Sequence, residues 1–208
     1  MLKGISIRAL ILGWLTLSLS GLALAQESWS FPDFSATEVF VSRKADMAMK
    51  VYRSGSVVRM ERSAAMSTLY VPATSKVYNL TTYPDNSHQC VSMRPEQAKM
   101  LPSPLELIQG LIVKRTAGGS EAIEGHQTTI QTVEVVQPDG KTIESKVWLA
   151  NDLKGIPVKI ESYIDKITLR TVYRNIEIGA PDAALFQVPA KCTPFEKMGQ
   201  VAEMRGPK

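Results

Sequence analysis

Apolar and polar residues alternate along most of the carboxy-terminal third of the chain. The pattern is clearest in Lys141–Leu149 and Ile156–Tyr163, and Leu169–Ile176 forms a third such run. Asn151–Gly155 separates the first two runs with residues that favour a tight turn. Alternation with a period of two is typical of antiparallel strands that bury one face. The stretch therefore predicts three neighbouring strands.

The same period predicts further strands on the amino-terminal side. Ser54-Gly55-Ser56 is a hairpin signal between two of them, and Gly118-Gly119-Ser120 is expected to be a loop. We expect about nine strands in all. The additional runs are Phe34–Ser42, Asp46–Arg53, Val57–Arg62, Met66–Val71, Lys76–Thr81, Asn86–Met93 and Thr128–Val136.

The period changes to that of a helix after Pro102. Ser103 can cap a helix, Pro104 suits its first position, and apolar residues then recur at helical spacing. This predicts a short apolar helix over Leu105–Val113. A second short helical segment is expected over Pro95–Met100.

These elements predict a mainly β, α+β fold in one domain, without internal repeats. Successive strands joined by short turns form an antiparallel meander, and a sheet of this length must curl, close or split. We expect a curved antiparallel sheet that forms an unclosed half-barrel, with one or two helices covering its concave face. A closed barrel is the alternative.

The first 25 residues have the pattern of a secretory signal. Lys3 and Arg8 precede an apolar run, and Ala23-Leu-Ala25 is a typical cleavage site. We expect cleavage before Gln26, a domain over 26–197 and a flexible tail over 198–208. An uncleaved amino-terminal anchor is the alternative. No later apolar run is long enough to span a bilayer, so no transmembrane segment is expected in the mature chain.

Charge argues against a nucleic-acid partner. The formal net charge is +4, and it falls to +2 once Lys3 and Arg8 leave with the signal. The basic residues Arg53, Arg59 and Arg62 alternate with other residue types, which indicates a solvated strand face instead of a phosphate-binding stripe.

Cys90 and Cys192 are the two cysteines of the chain. In an oxidising compartment they are candidates for a disulfide bond. The bond would close a loop of about 100 residues, which the chain-entropy model values at up to ~4.7 kcal/mol. Two separate thiols are the alternative.

No constellation of catalytic residues stands out. The sequence lacks G-x-S-x-G, H-E-x-x-H, C-x-x-C and the glycine-rich phosphate loops. The two histidines, His88 and His126, have no closely spaced partner, so we expect no metal site, no cofactor and no enzymatic activity.

Apolar surface is the remaining candidate chemistry. The chain has nine methionines, whose flexible side chains suit varied apolar ligands, although ordinary core filling explains them as well. If the predicted helix lies over a cavity, a ligand would contact both the helix and the sheet. Arg59 is a candidate polar contact at the rim. The candidate cavity residues are Met47, Met49, Leu105, Ile108, Leu111 and Ile112.

Several short motifs resemble the LolA/LolB-like superfamily of secreted bacterial proteins. They are Val51–Glu61, Ile123-Glu-Gly-His126, Val147–Lys159 and Pro181–Pro189, in this order. The resemblance implies an unclosed antiparallel barrel with helices as a lid over an apolar cavity. It also implies a periplasmic protein that binds a lipid or a lipidated protein. Contact with another envelope protein, through a domain with a filled core, is the alternative.

Overall fold

A computed structural model describes residues 31–198, apart from 42–45, 96, 99–110, 137–139 and 165–166. The described residues form twelve strands and three short 3-10 helices. The helices are Pro72–Thr74, Ala183–Phe186 and Phe195–Lys197. The strands are β1 (Phe34–Val41), β2 (Met47–Ser54), β3 (Val57–Ser63), β4 (Met66–Val71), β5 (Lys76–Thr82), β6 (His88–Met93), β7 (Leu111–Ile123), β8 (His126–Val136), β9 (Thr142–Ala150), β10 (Pro157–Ile164), β11 (Ile167–Ile178) and β12 (Thr193–Pro194).

All twelve strands belong to one sheet, in the order β12-β6-β5-β4-β3-β2-β1-β11-β10-β9-β8-β7. Two antiparallel meanders, β1 to β6 and β7 to β11, make up nearly all of it. They meet where β1 pairs with β11, in a register that places Phe34 opposite Ile178. The short strand β12 adds a parallel pairing to β6, with Thr193 opposite Val91.

The sheet is curved and unclosed, as predicted from the number of strands joined by short turns. One contiguous core cluster includes Val58 and Met60 of β3, Tyr173 of β11 and Val133 of β8. These strands are far apart in the sheet order, so the sheet must curl to bring them together. Its two outermost strands, β12 and β7, do not pair with each other among the described residues. The fold is therefore a mainly β half-barrel, and we call the face that carries this cluster the inner face.

Two predictions about the middle of the chain are wrong. Leu111, Ile112 and Val113 were expected to end a helix, but they begin strand β7. The expected loop Gly118–Ser120 also lies within β7, where a bulge accommodates the glycines. A short apolar run fits a helix and a strand equally well, and an exposed strand lacks the alternation that would reveal it. Most of the predicted helix Leu105–Val113 and part of the segment Pro95–Met100 lie outside the described residues; the described part of the latter forms turns.

The carboxy-terminal segment crosses the outer face of the β3 to β6 region. Phe186 and Cys192 pack there against a small cluster of Leu69, Tyr78 and Cys90. The predicted disulfide between Cys90 and Cys192 is confirmed, with Cα atoms 4.6 Å apart. We call residues 180–197, which this bond fixes to the sheet, the strap.

Candidate functional site

One end of the half-barrel is closed by packed side chains. Phe34 is fully buried there and Phe31 is nearly so. The guanidinium of Arg53 lies 4.9 Å from the centre of the Phe31 ring, and its Nε donates to the carbonyl of Gly55 at 2.7 Å. Burial lowers the pKa of Arg53, and the nearby Asp33 carboxylate offsets part of that effect. These groups fill the described part of this end.

The opposite end carries most of the exposed apolar side chains. This end, which we call the turn end, is where β1, β3, β5 and β10 end and where β2, β4, β6 and β11 begin. Among the described residues, six of the nine exposed large apolar side chains lie here. They are Val41 (37% exposed), Met47 (57%), Met66 (49%), Tyr83 (44%), Tyr163 (42%) and Ile167 (61%).

Two of these six residues belong to the inner face. Met47 is opposite Phe40 of β1, four residues before the buried Val51 on the same strand, so both share the inner side. Ile167 is opposite Ile164, which follows the buried Ile160 at the same spacing. Phe40 and Ile164 are half-buried. The inner face thus opens at the turn end as an apolar surface, which we call the mouth.

The structure places three of the predicted cavity residues on the inner face, from the mouth to the core. Met47 lies at the mouth, Met49 packs against the inner core cluster, and Ile112 is buried within that cluster. Leu111 is in β7, in the same meander as Ile112. Leu105 and Ile108 lie outside the described residues.

Arg59, the predicted rim contact, lies on the outer face instead. Val58 and Met60 on either side of it point into the inner cluster, and strand alternation directs Arg59 the other way. Its Nη1 donates to the carbonyl of Leu185 in the strap at 3.0 Å, and its Nε donates to Glu61 at 3.1 Å. Arg59 therefore holds the strap against the sheet.

An open groove lies beside the strap on the outer face. It has a volume of about 410 Å³, and Arg59 and Glu61 form part of its wall. Leu80 and Met66 contribute apolar surface, and Lys191 of the strap borders it. The mixture of polar and apolar groups contrasts with the apolar mouth.

Several titratable groups of the described residues form local ion pairs. His126 Nδ1 is 2.8 Å from Asp152 Oδ2, and this hydrogen bond lowers the pKa of Asp152. The other histidine, His88, contacts the hydroxyl of Thr82 at 3.1 Å. In the described part of the chain, no three His, Cys, Asp or Glu side chains are grouped so as to hold a metal ion. None of the helices found there has the length and apolar character needed to cross a membrane.

Sequence reasoning missed the residues on the β10–β11 side of the mouth. Ile164 and Ile167 are opposite each other at the adjoining ends of β10 and β11, and two isoleucines separated by the polar pair Asp165-Lys166 are the signal that was available in the sequence. Positions at the end of a strand are usually near solvent, and polar side chains are common there. The exposed Ile167 could have been singled out on that basis.

No protein-family model and no curated protein matches the sequence. Among solved structures, the chain is similar to MucB in the Pseudomonas aeruginosa MucA/MucB complex, with 17% identity, a TM-score of 0.43 and 77% of this chain covered. The chain spans 57% of the length of that MucB chain. It is also similar to LprF from Mycobacterium bovis, with 13% identity, a TM-score of 0.40, and 72% of this chain and 89% of that chain covered.

A putative outer membrane lipoprotein-sorting protein domain from Vibrio parahaemolyticus is a third similar structure. It has 10% identity and a TM-score of 0.30, with 76% of this chain and 91% of that chain covered. The identity to all three structures is low, and all three TM-scores lie below 0.5. The likeness concerns the fold alone.

Proposed function

We propose that the chain is a non-enzymatic envelope protein that binds a lipid, the acyl chain of a lipoprotein or another apolar ligand at the mouth of the half-barrel. The observation that carries the proposal is the exposure of Met47 and Ile167 on the inner face. Both continue the face that buries the core, and both remain largely open to solvent. Apolar side chains in such a concave position favour an apolar ligand.

The asymmetry of the half-barrel supports this location. Phe31, Phe34 and Arg53 are packed together at the other end, whereas the exposed apolar residues of the inner face lie at the turn end. A flexible thioether such as Met47 adapts to chains of different shape. The ligand would bind at the turn end, beside Phe40 and Ile164.

The compartment belongs to the same proposal. The Cys90–Cys192 disulfide suits an oxidising environment. Together with the amino-terminal signal pattern, it supports a periplasmic or secreted protein that is cleaved before Gln26.

Native mass spectrometry of protein purified from envelope extracts, combined with titration of a fluorescent fatty-acid analogue, tests the proposal. The wild type is expected to carry lipid and to bind the analogue. The double substitution Met47→Asp/Ile167→Asp is expected to weaken binding at least about tenfold, because it places two charges where apolar groups must be buried.

Ile178→Asp is the matched control, since Ile178 is an exposed isoleucine near the closed end of the same strand as Ile167. Its affinity for the analogue is expected to match that of the wild type. Absence of uptake by the wild type, or equal affinity in the double variant, would remove the ligand-binding proposal.

A second candidate function, an interaction module for another envelope protein, is favoured by the width of the exposed apolar row. From Tyr83 after β5 to Tyr163 on β10 it crosses six strand spacings, or about 29 Å at ~4.8 Å each. The row of exposed apolar residues is therefore wider than the contact surface of a single acyl chain. This function predicts that Tyr83→Ser/Tyr163→Ser abolishes capture of a specific envelope protein while the wild type takes up no fatty-acid analogue.

A further inference from the structure

The two edges of the sheet differ in how well they are covered. At one edge, β12 pairs with β6 and the Cys90–Cys192 bond holds the strap there. At the other edge, β7 is the longest strand, with 13 residues, and pairs with β8 along one side. Within the part of the chain that the structure describes, no strand pairs with its other side. An edge of this length offers main-chain donors and acceptors to another strand.

The middle of this edge is open and free of bulky side chains. Residues 114–122 are exposed, and Gly118 and Gly119 lie at the centre of that stretch. A Cβ added at Gly119 would meet no atom within 4 Å. Another backbone can approach the edge closely at this point.

Opposite charges lie on the same face at the two ends of the stretch. Lys114 is opposite Glu134 of β8, and Glu121 is opposite Thr128. Glu134 and Thr128 are six residues apart on β8, so they point to the same face. Lys114 and Glu121 therefore share that face, although they are an odd number of residues apart, because the bulge between Ala117 and Gly119 shifts the alternation.

We propose that β7 pairs with β7 of a second copy of this chain, antiparallel, about a two-fold axis between Ala117 and Gly118. In this register Lys114 of each copy lies opposite Glu121 of the other, so that the charge pair occurs twice. The Lys114 ammonium, which already donates to Glu134 Oε1 at 2.6 Å, has further donors. The Glu121 carboxylate, which accepts from Trp148 Nε1 at 2.8 Å, has further acceptor capacity.

A shift of the register by one residue does not give the same match. It would place Arg115 opposite Glu121. Arg115 is opposite Val133 of β8, which is adjacent to Glu134, so its side chain points to the other face. The arginine and the carboxylate would then lie on opposite sides of the joined sheets. Charge and alternation together select the register with Lys114 opposite Glu121. The pairing is independent of the mouth and of any ligand there.

Two cysteine substitutions on β7 test the register in the otherwise intact full chain. Two antiparallel copies place their Ala117 Cα atoms about 6 Å apart, which is within the range that a disulfide spans. The two Ala122 Cα atoms are separated by nine residues along the ladder, or about 30 Å. On mild oxidation, Ala117→Cys is expected to give a covalent dimer, and the equally exposed Ala122→Cys is expected to give none.

Analytical ultracentrifugation of charge variants tests the recognition. The wild type is expected to show a concentration-dependent dimer. Lys114→Glu and Glu121→Lys should each raise the dimer dissociation constant about tenfold, because like charges then face each other twice. The exchange Lys114→Glu/Glu121→Lys should restore the wild-type dissociation constant within about twofold. Circular dichroism spectra and thermal melts of all variants check that the chains are folded.

The proposal is overturned if the wild type sediments as a monomer throughout. It is overturned as well if Ala122→Cys cross-links as readily as Ala117→Cys, which indicates another arrangement or random collision. A dimer in which Ala117→Cys does not cross-link places the interface elsewhere. Failure of the charge exchange to restore dimerisation rejects the Lys114–Glu121 pairing.

Discussion

Breaking the Cys90–Cys192 bond should cost the protein a large part of its stability. The two residues are 102 positions apart, so the bond closes a long loop in the unfolded chain. The chain-entropy model values a crosslink of this span at about 4.7 kcal/mol. For a domain of this size, a loss of that amount lowers the melting temperature by about 10 to 19 °C. The loss arises in the unfolded state, because the crosslink restricts the unfolded chain far more than the folded one.

Urea unfolding followed by tryptophan fluorescence measures this loss. Of the three tryptophans, Trp148 is buried in β9, at the far side of the sheet from the disulfide, so its contribution to the signal reports unfolding of the sheet and not of the strap alone. Three samples are needed: the oxidised wild type, the reduced wild type and Cys90→Ala/Cys192→Ala. Reduction keeps both sulfur atoms in place, whereas the double substitution also removes packing of Cys90 against Leu69 and Tyr78. The reduced wild type therefore isolates the crosslink itself.

The reduced protein should unfold at a clearly lower urea concentration with a larger m-value, because its unfolded state is more expanded. The variant Cys90→Ala/Cys192→Ala should have a slightly lower free energy of unfolding than the reduced wild type. A difference below about 1 kcal/mol between the oxidised and reduced wild type would refute the loop-entropy argument. Loss of the strap alone, without a change in the Trp148 transition, would show that the strap unfolds separately from the sheet.

Three further predictions concern side chains within the sheet. Ser145→Ala leaves the hydroxyl of Ser162 buried without its 2.8 Å partner and should cost about 1 to 3 kcal/mol in urea unfolding. The double variant Ser145→Ala/Ser162→Ala should lose less free energy of unfolding than twice the loss of the single variant, because no buried hydroxyl is then left without its partner. Burial raises the pKa of Glu161, but hydrogen bonds from Lys159 and Arg170 outweigh it, so the folded pKa is lowered. The resulting stabilisation is complete above the unfolded carboxyl pKa of about 4.3 and is lost as the pH falls through the folded pKa. Glu161→Gln should flatten the free energy of unfolding against pH in this acidic range. Trp148→Ala should cost about 3 to 5 kcal/mol, and Trp148→Phe, the control, should cost less.

The sequence predicts the strands with one buried face well. In β9 and β10 the alternation reflects a real asymmetry, since Val147 and Ile160 are fully buried and Lys146 and Lys159 are not. The disulfide was also predictable, because two cysteines in an oxidising compartment allow one intramolecular pairing. The strands were predictable from the local spacing of apolar residues, and the disulfide was predictable from the number of cysteines.

Features that depend on the curvature of the sheet were not predictable. Glu38 is fully buried in β1, opposite Tyr173, although glutamate normally marks an exposed position. Arg59 was expected to be a polar contact at the rim of a cavity, but only the three-dimensional path of the strap reveals its contact with Leu185. Strand β7 lacks alternation because nearly all of its middle is exposed, so its glycines resemble a loop.

The pairing of β1 with β11 affects how the chain must fold during synthesis. The first strand to emerge can pair at once with β2 on one side, and β2 to β6 can follow as a meander. The other side of β1 must wait for β11, which is the last long strand of the described chain. Contacts between such distant segments form slowly, and an unpaired strand edge is prone to aggregate in the meantime. The meander β1 to β6 is therefore an incomplete sheet until β11 has been synthesised. Chaperones that shield strand edges should increase the yield of folded protein more than they change its final stability.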